Sequence, residues 1–375
     1  MLYNFRVMKE LHLEKVFPFY RFSGSHFQIG QQYGAACGGL IKKNLDLSLC
    51  RLQEHTHATR EQILDATLQY RRTILQYAPF LDEEIKGITV STGLRLEEIY
   101  FLQIRAEIEV FLSKLAGENI GMECTTFALS GLGTADGVPL AGQNADLPAF
   151  YSEVCIVVEI VSDDSTPILM VTPAGQVSYI GMNLSGLCVF ANFLVCDGWR
   201  IGFPRYCLSR LALTQDTVVD AEQILTKVYR ASSRNLLMAD IGGEILDLEF
   251  AVERYGRLTS PNGRLIHSNH FISPDLLDEE RSSPGDLKNS HTRLSRFQHL
   301  IDNAFGNIDT GMIQTYLRDR VTYPDPVCSE LGDPGQGDEM TVASVIAEPA
   351  KQCIWAAIGP PSLNIYKCYT FTGYK

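Results

Sequence analysis

The pattern of apolar and polar positions changes character once along this chain. Over the first 120 or so residues it has helical period. Residues 25–54, SHFQIGQQYGAACGGLIKKNLDLSLCRLQE, carry an apolar stripe at three- and four-residue spacing, and Ser25 with Gln28 forms a capping-box signature at its start, with Ser23 as the alternative cap. The same period predicts helices over 59–77 and 96–115, with Pro79 and Gly93 as breakers between them. From Cys124 onward short β-rich runs take over at 124–130, 138–145, 154–162, 167–172, 177–183 and 187–195, punctuated by Gly, Asp, Asn and Pro.

A helical block at 205–230 then precedes a strand pair, NLLMADIGGEILDLEFAV, that turns at Gly242-Gly243. Further runs predict a strand over 262–272, helices over 290–304 and 309–319, and closing strands near 340–347, 352–358 and 364–372. Hairpin-linked strands with helices in separate blocks indicate an α+β fold built on antiparallel sheets. Residues 273–289, rich in Ser, Pro, Asp and Glu, read as a surface loop, so the 375 residues are expected to form one large domain.

Composition narrows the function classes. A net charge of −12 argues against a nucleic-acid partner, which calls for a basic face. No apolar stretch has the length of a membrane span, and the first 22 residues lack the apolar core of a secretory signal. Ten cysteines are scattered without a CxxC pair, so reduced, buried thiols in a cytoplasmic protein are expected. His267 and His270 have a metal-like spacing, but an i, i+3 pair on a strand points to opposite faces and no Cys or carboxylate cluster completes a metal site. No bound cofactor is implied.

The informative stretch is Glu123-Cys124-Thr125-Thr126-Phe127-Ala128, followed by GLGTADG and VPLAGQNADLP. Read as a hairpin, it pairs Cys124 with a residue between 144 and 149, a window that holds Asn144 and Asp146. A thiol, an amide and a carboxylate would then converge at one hairpin end. Trp199 is a candidate pocket wall, with packing the favoured reading.

In order along the chain, the SGSHFQIGQQYG start, Cys124 at the helix-to-strand junction, GQNAD, GMNLSGLCVFAN, HSNHF, the PGD and SHTRLSRF segments, and TVAS with WAAIGPPS follow one another. Together they resemble the N-terminal-nucleophile (Ntn) cysteine hydrolases of the isopenicillin-N acyltransferase family, relatives of the choloylglycine hydrolases. The resemblance implies a four-layer αββα sandwich of two antiparallel sheets. It implies self-cleavage between Glu123 and Cys124 into segments 1–123 and 124–375 of a single domain. It also implies attack by Cys124 on an acyl amide or thioester.

By the same resemblance Asp146 orients the nucleophile and its ammonium, and Asn269 donates to the oxyanion. Asn144 and Asn192 are further polar candidates. Arg293 matches the family arginine, with Arg296 one helical turn away as its alternative. Glu123 stands where relatives have Gly or the initiator Met. Gln143 and Asn144 stand where the choloylglycine branch has Arg, which favours the acyltransferase-like branch. The implied partner is a small-molecule acyl amide, with an acyl-CoA as the donor should the activity be transfer. An uncut, catalytically silent relative that binds an acylated ligand is the alternative.

Overall fold

In the computed structural model of the chain, residues 15–116 and 124–373 are described, and Glu123 lies outside them. Two sheets form the centre. The first has eight strands in the spatial order β1 (Phe19–Gly24), β4 (Cys155–Ser162), β5 (Ile168–Pro173), β6 (Ile180–Asn183), β7 (Cys188–Asn192), β8 (Arg234–Ala239), β9 (Ile245–Phe250) and β10 (Tyr255–Leu258). The second has six, in the order β11 (Arg264–His267), β2 (Cys124–Leu129), β3 (Leu140–Pro148), β12 (Glu339–Glu348), β13 (Cys353–Ile358) and β14 (Lys367–Thr370).

The helices are α1 (His26–Thr56), α2 (Arg60–Asp65), α3 (Arg71–Tyr77), α4 (Pro79–Thr92), α5 (Leu96–Ala116), α6 (Arg205–Ala212), α7 (Val218–Leu225), α8 (Pro284–Ala304) and α9 (Thr310–Leu317). Among the described residues no helix is long and apolar enough to cross a membrane.

Strand alternation builds the layers, because successive side chains point to opposite faces. Along β4, Ile156, Val158 and Ile160 join the cluster under α1, α4, α5, α6 and α7, while Cys155 and Val157 face the second sheet. Along β2, Phe127 and Leu129 pack against Phe297 and Ile301 of α8, while Ala128 faces the first sheet. The result is helix, sheet, sheet, helix, the expected αββα sandwich. Its inner strands are buried on both faces, which is why several of them read as near-continuous apolar runs, while the edge strands β1, β10 and β14 are partly exposed.

Most pairings are antiparallel, but β1 runs parallel to β4, from Phe19↔Val157 to Gly24↔Ser162. The helical period did not anticipate β1, nor the short edge strand β10. Pro79 also departs from its expected role. It occupies the first turn of α4, where the missing N–H costs nothing. Gly93, in the left-handed region at φ 70°, ends that helix.

Helix α1 forms as its pattern predicts. Ser25 accepts from the Gln28 N–H and Gln28 returns the bond to the Ser25 N–H. Its buried stripe runs through Ile29, Tyr33, Cys37, Ile41, Leu45, Leu49 and Leu52. Gly30 and Gly87 let α1 and α4 touch backbone to backbone. A Cβ on Gly30 would lie 2.0 Å from the Glu84 carbonyl oxygen, and one on Gly87 would lie 2.3 Å from that of Phe27. Gly30→Ala should therefore destabilise the protein by roughly 1–3 kcal/mol in chemical denaturation, since backbone has to move. Gly39→Ala, on the exposed face of the same helix with nothing within 4 Å, should leave stability unchanged or raise it by about 0.5–1 kcal/mol.

Candidate active site

Cys124 is the first residue of β2 and pairs with Ala145 of β3, inside the window that the hairpin reading set. By alternation it shares the face of Ala128, so its thiol points between the two sheets. The residue is buried, and its main chain is held by side chains from three other parts of the fold. Its N–H donates to Asn269 Oδ1 at 2.6 Å. Its carbonyl accepts from Arg293 Nη1 at 2.6 Å, Asn192 Nδ2 at 3.0 Å and, more weakly, Ser268 Oγ at 3.4 Å.

Each holder has its own support. Asn269 follows β11, its N–H donates to Ser290 Oγ on α8 and its Nδ2 donates to the Phe193 carbonyl. Asn192 ends β7 and accepts from Thr126 Oγ1 at 2.7 Å. Arg293, wholly buried on α8, also donates to Thr125 Oγ1, Asn269 Oδ1 and Asn289 Oδ1. Asp146, one residue beyond the partner of Cys124, accepts from Thr341 Oγ1 at 2.5 Å.

Four of the sequence candidates, Asp146, Asn192, Asn269 and Arg293, thus gather around Cys124. Two do not. The Asn144 amide faces the α8–α9 layer, where its Nδ2 donates to the Leu317 and Val327 carbonyls and its Oδ1 accepts from Ser344. Alternation along β3 puts it, like Asp146, on the face opposite Ala145; the Asp146 charge still acts on the Cys124 thiol, whereas the Asn144 amide is committed to the helical layer. Arg296, partly exposed, is engaged by Asp319.

Burial pushes the Cys124 thiol up to about 12, and the charge of Asp146 adds to it. The Asp146 backbone N–H and the guanidiniums of Arg293 and Arg234 pull the other way without overcoming it. In the continuous chain, then, the group is a thiol at neutral pH.

Behind Asn269 lies a buried ionisable cluster. His267 Nε2 meets Glu249 Oε1 at 2.7 Å, and Glu249 also accepts the N–H groups of Ile272 and Ser273, which anchors the loop that carries Asn269. Burial alone would lower His267, but the charges of Asp247 and Glu249 hold it up at about 9. Burial raises Asp247 to about 7. His270 lies beyond the end of β11, not on it, and its ring centroid is 6.5 Å from that of His267, so opposite strand faces do not separate the pair. Its Nδ1 is instead bonded to Ser290 Oγ. No group of three metal-ligating side chains occurs among the described residues.

A small cavity opens at the thiol, walled by Leu147, Tyr179, Ala191, Phe193 and Tyr206, with Arg205 and Arg234. Sequence reasoning missed both arginines. Arg234 sits one residue before the apolar run read as a strand, and a cation entering a doubly buried strand was the signal available. Trp199 packs on Phe193 and donates to Ser233 Oγ, and it is not among the cavity walls.

Residues 134–363, more than half of the chain, match the family described as acyl-coenzyme A:6-aminopenicillanic acid acyl-transferase. The matched span includes Asp146, Asn192, Asn269 and Arg293 and begins ten residues after Cys124. Among solved structures, a variant of conjugated bile acid hydrolase from Clostridium perfringens aligns at 16% identity over 66% of this chain and 97% of its own, with a TM-score of 0.44. Penicillin V acylase from Agrobacterium tumefaciens aligns at 12% identity over 67% of this chain and 87% of its own, with a TM-score of 0.42.

The raised imidazole at His267 gives a signed expectation. The stability it contributes is fully present below pH ~6.5, the unfolded value, and is lost as pH rises through about 9. Urea denaturation from pH 6 to 10 should show wild type converging on His267→Gln across that window. A constant gap between the two would refute the charged His267.

Proposed function

The chain belongs to the acyl-coenzyme A:6-aminopenicillanic acid acyl-transferase family, and on that premise we propose that it is a self-processed Ntn cysteine amidohydrolase or acyltransferase with Cys124 as nucleophile. The observation that carries this reading is the handling of the Cys124 main chain. Any buried N–H needs an acceptor, but here the acceptor is a side chain, Asn269 Oδ1 at 2.6 Å, brought from a distant loop. A residue whose nitrogen is to become a chain terminus and a catalytic base needs such a partner.

Processing begins with attack of Cys124 Sγ on the Glu123 carbonyl carbon. The peptide C–N bond breaks, the thiol proton goes to the departing Cys124 nitrogen, and a thioester links the two segments. Water then hydrolyses the thioester, which returns the thiol and leaves Glu123 as a carboxylate. The new α-amine has an unperturbed pKa of ~7.7–8.0 and accepts the thiol proton near neutral pH, where the amide nitrogen had no such capacity. The barrier that burial places on thiolate formation in the uncut chain is thereby answered by a base on the same residue.

In turnover the thiolate attacks an acyl amide. The α-ammonium protonates the leaving amine, and acyl-Cys124 remains. Water as acceptor completes hydrolysis, and an amine completes transfer. Asn269 uses one N–H of its amide on the Phe193 carbonyl, so the other is the donor for the oxyanion. Asp146, beside the nucleophile, stabilises the ammonium. Arg293 and Asn192, committed to the Cys124 carbonyl, act as positioning residues. An acyl-CoA is the donor class expected if transfer dominates.

Intact mass of freshly expressed protein tests the premise of the mechanism. Wild type should separate into residues 1–123 and 124–375, and Cys124→Ala should remain one chain. An uncut wild type would instead support the silent ligand-binding alternative. With a panel of N-acyl amino acids and acyl amides, processed Asn269→Ala should lose about 10²–10³ in kcat relative to wild type. A loss confined to KM would assign Asn269 to ground-state binding.

A further inference from the structure

The two arginines in the cavity are not part of the machinery above, and their condition is unusual. Arg205 and Arg234 are each only 2% exposed, and among the described residues no carboxylate lies within ion-pair distance of either guanidinium. Arg205 Nε and Nη1 and Arg234 Nε have no hydrogen-bond partner. What holds them is weak. Arg205 Nη2 reaches the Asn192 carbonyl at 3.5 Å, and Arg234 Nη2 reaches Ser209 Oγ at 3.2 Å. The nearby carboxylate of Glu107 spends Oε1 on the Arg205 backbone N–H and on Ser232 Oγ.

Aromatic faces supply partial compensation. The Arg205 guanidinium lies 4.0 Å from the Phe193 ring centroid, and that of Arg234 lies 5.1 Å from Tyr206. The charge of Glu107, whose Oε2 has no hydrogen-bond partner, partly offsets that of Arg205, but two buried guanidiniums beside one carboxylate leave an excess of positive charge, which is costly. Burial, and then the charge of Arg205, lower Arg234 to about 10.

We propose that Arg205 and Arg234 form a carboxylate subsite beside Cys124, so that the substrate is an N-acyl compound bearing a carboxylate close to its scissile amide. This rests on Cys124 being the processed nucleophile. A carboxylate has the planar pair of acceptors that guanidinium N–H donors match. Size and place constrain it further. The free room is about 20 Å³, little more than a water needs, so one small polar group is the most it takes, and Cys124 lines the same cavity. An anion held there lies only a few bonds from the carbonyl under attack, as in an N-acyl amino acid. The same pair of charges opposes a neutral or cationic group at that position.

Two small thiol reagents test this without knowledge of the natural substrate. Processed wild type is treated with iodoacetate or iodoacetamide, and Cys124 labelling is timed by peptide mass spectrometry beside free cysteine. The ratio of iodoacetate to iodoacetamide rates should exceed that of free cysteine by roughly tenfold or more, and Arg205→Gln and Arg234→Gln should each reduce it. Because a buried arginine variant can fail to fold, the wild type carries a second readout. Propionate should slow iodoacetamide labelling of Cys124, and propionamide at equal concentration should not. A free-cysteine ratio, or no protection by propionate, would overturn the carboxylate subsite while iodoacetamide labelling left the nucleophile in place. Absence of labelling by either reagent, or an uncut chain, would overturn both readings together.

Discussion

The site depends on one buried guanidinium. Arg293 on α8 reaches across the second sheet's outer face to the first residue of β2 and to the loop after β11. A charge removed from water this completely is costly unless its donors are satisfied. Arg293 meets that condition by binding the Cys124 carbonyl, Thr125 Oγ1, Asn269 Oδ1 and Asn289 Oδ1 at once. Moving these partners weakens the bonds of a buried donor. The end of a strand, ordinarily a place where chains fray, is therefore the most tightly specified point of the hairpin.

The surroundings obey the same constraint from a different direction. Most residues near Cys124 are buried between layers, so most polar groups there find their partners inside the sandwich. The Asn192–Thr126 and Asn269–Phe193 contacts join the sheets through side chains. Glu249 links β9 to the Asn269 loop through two backbone N–H groups and His267. Low dielectric strengthens each of these bonds, and it also keeps the thiol protonated in the uncut chain.

Much of this was legible in the sequence, and the failures have identifiable causes. The change from helical to strand period at Cys124, the Ser25–Gln28 cap and the Cys124 register all follow from local pattern. β1 escaped because a six-residue segment that pairs in parallel with a strand more than 130 residues away leaves no hairpin signature. Pro79 was taken for a breaker because its sequence does not distinguish the start of a helix from the gap between two. Asn144 was placed with the thiol because the window for the hairpin contained it. Only the exact pairing, Cys124 with Ala145, fixes which side of the sheet it takes. Arg205 and Arg234 were invisible for a related reason, since local pattern assigns arginine to the surface and cannot show two distant ones converging indoors.

The parallel contact of β1 with β4 also has a consequence for connectivity. β1 and α1 to α5 precede residue 123, yet β1 completes a sheet whose other strands follow it, and α1, α4 and α5 cover that sheet. Farther out, Arg51 on α1 grips Asp338, and Tyr369 Oη donates to the Phe17 carbonyl. Two separate polypeptides that met to build this arrangement would surrender translational and rotational freedom worth about 4–15 kcal/mol. A single chain has already met that loss by the time it folds. Covalent continuity between residues 15–116 and the strands that follow thus spares this fold the entropy cost of association.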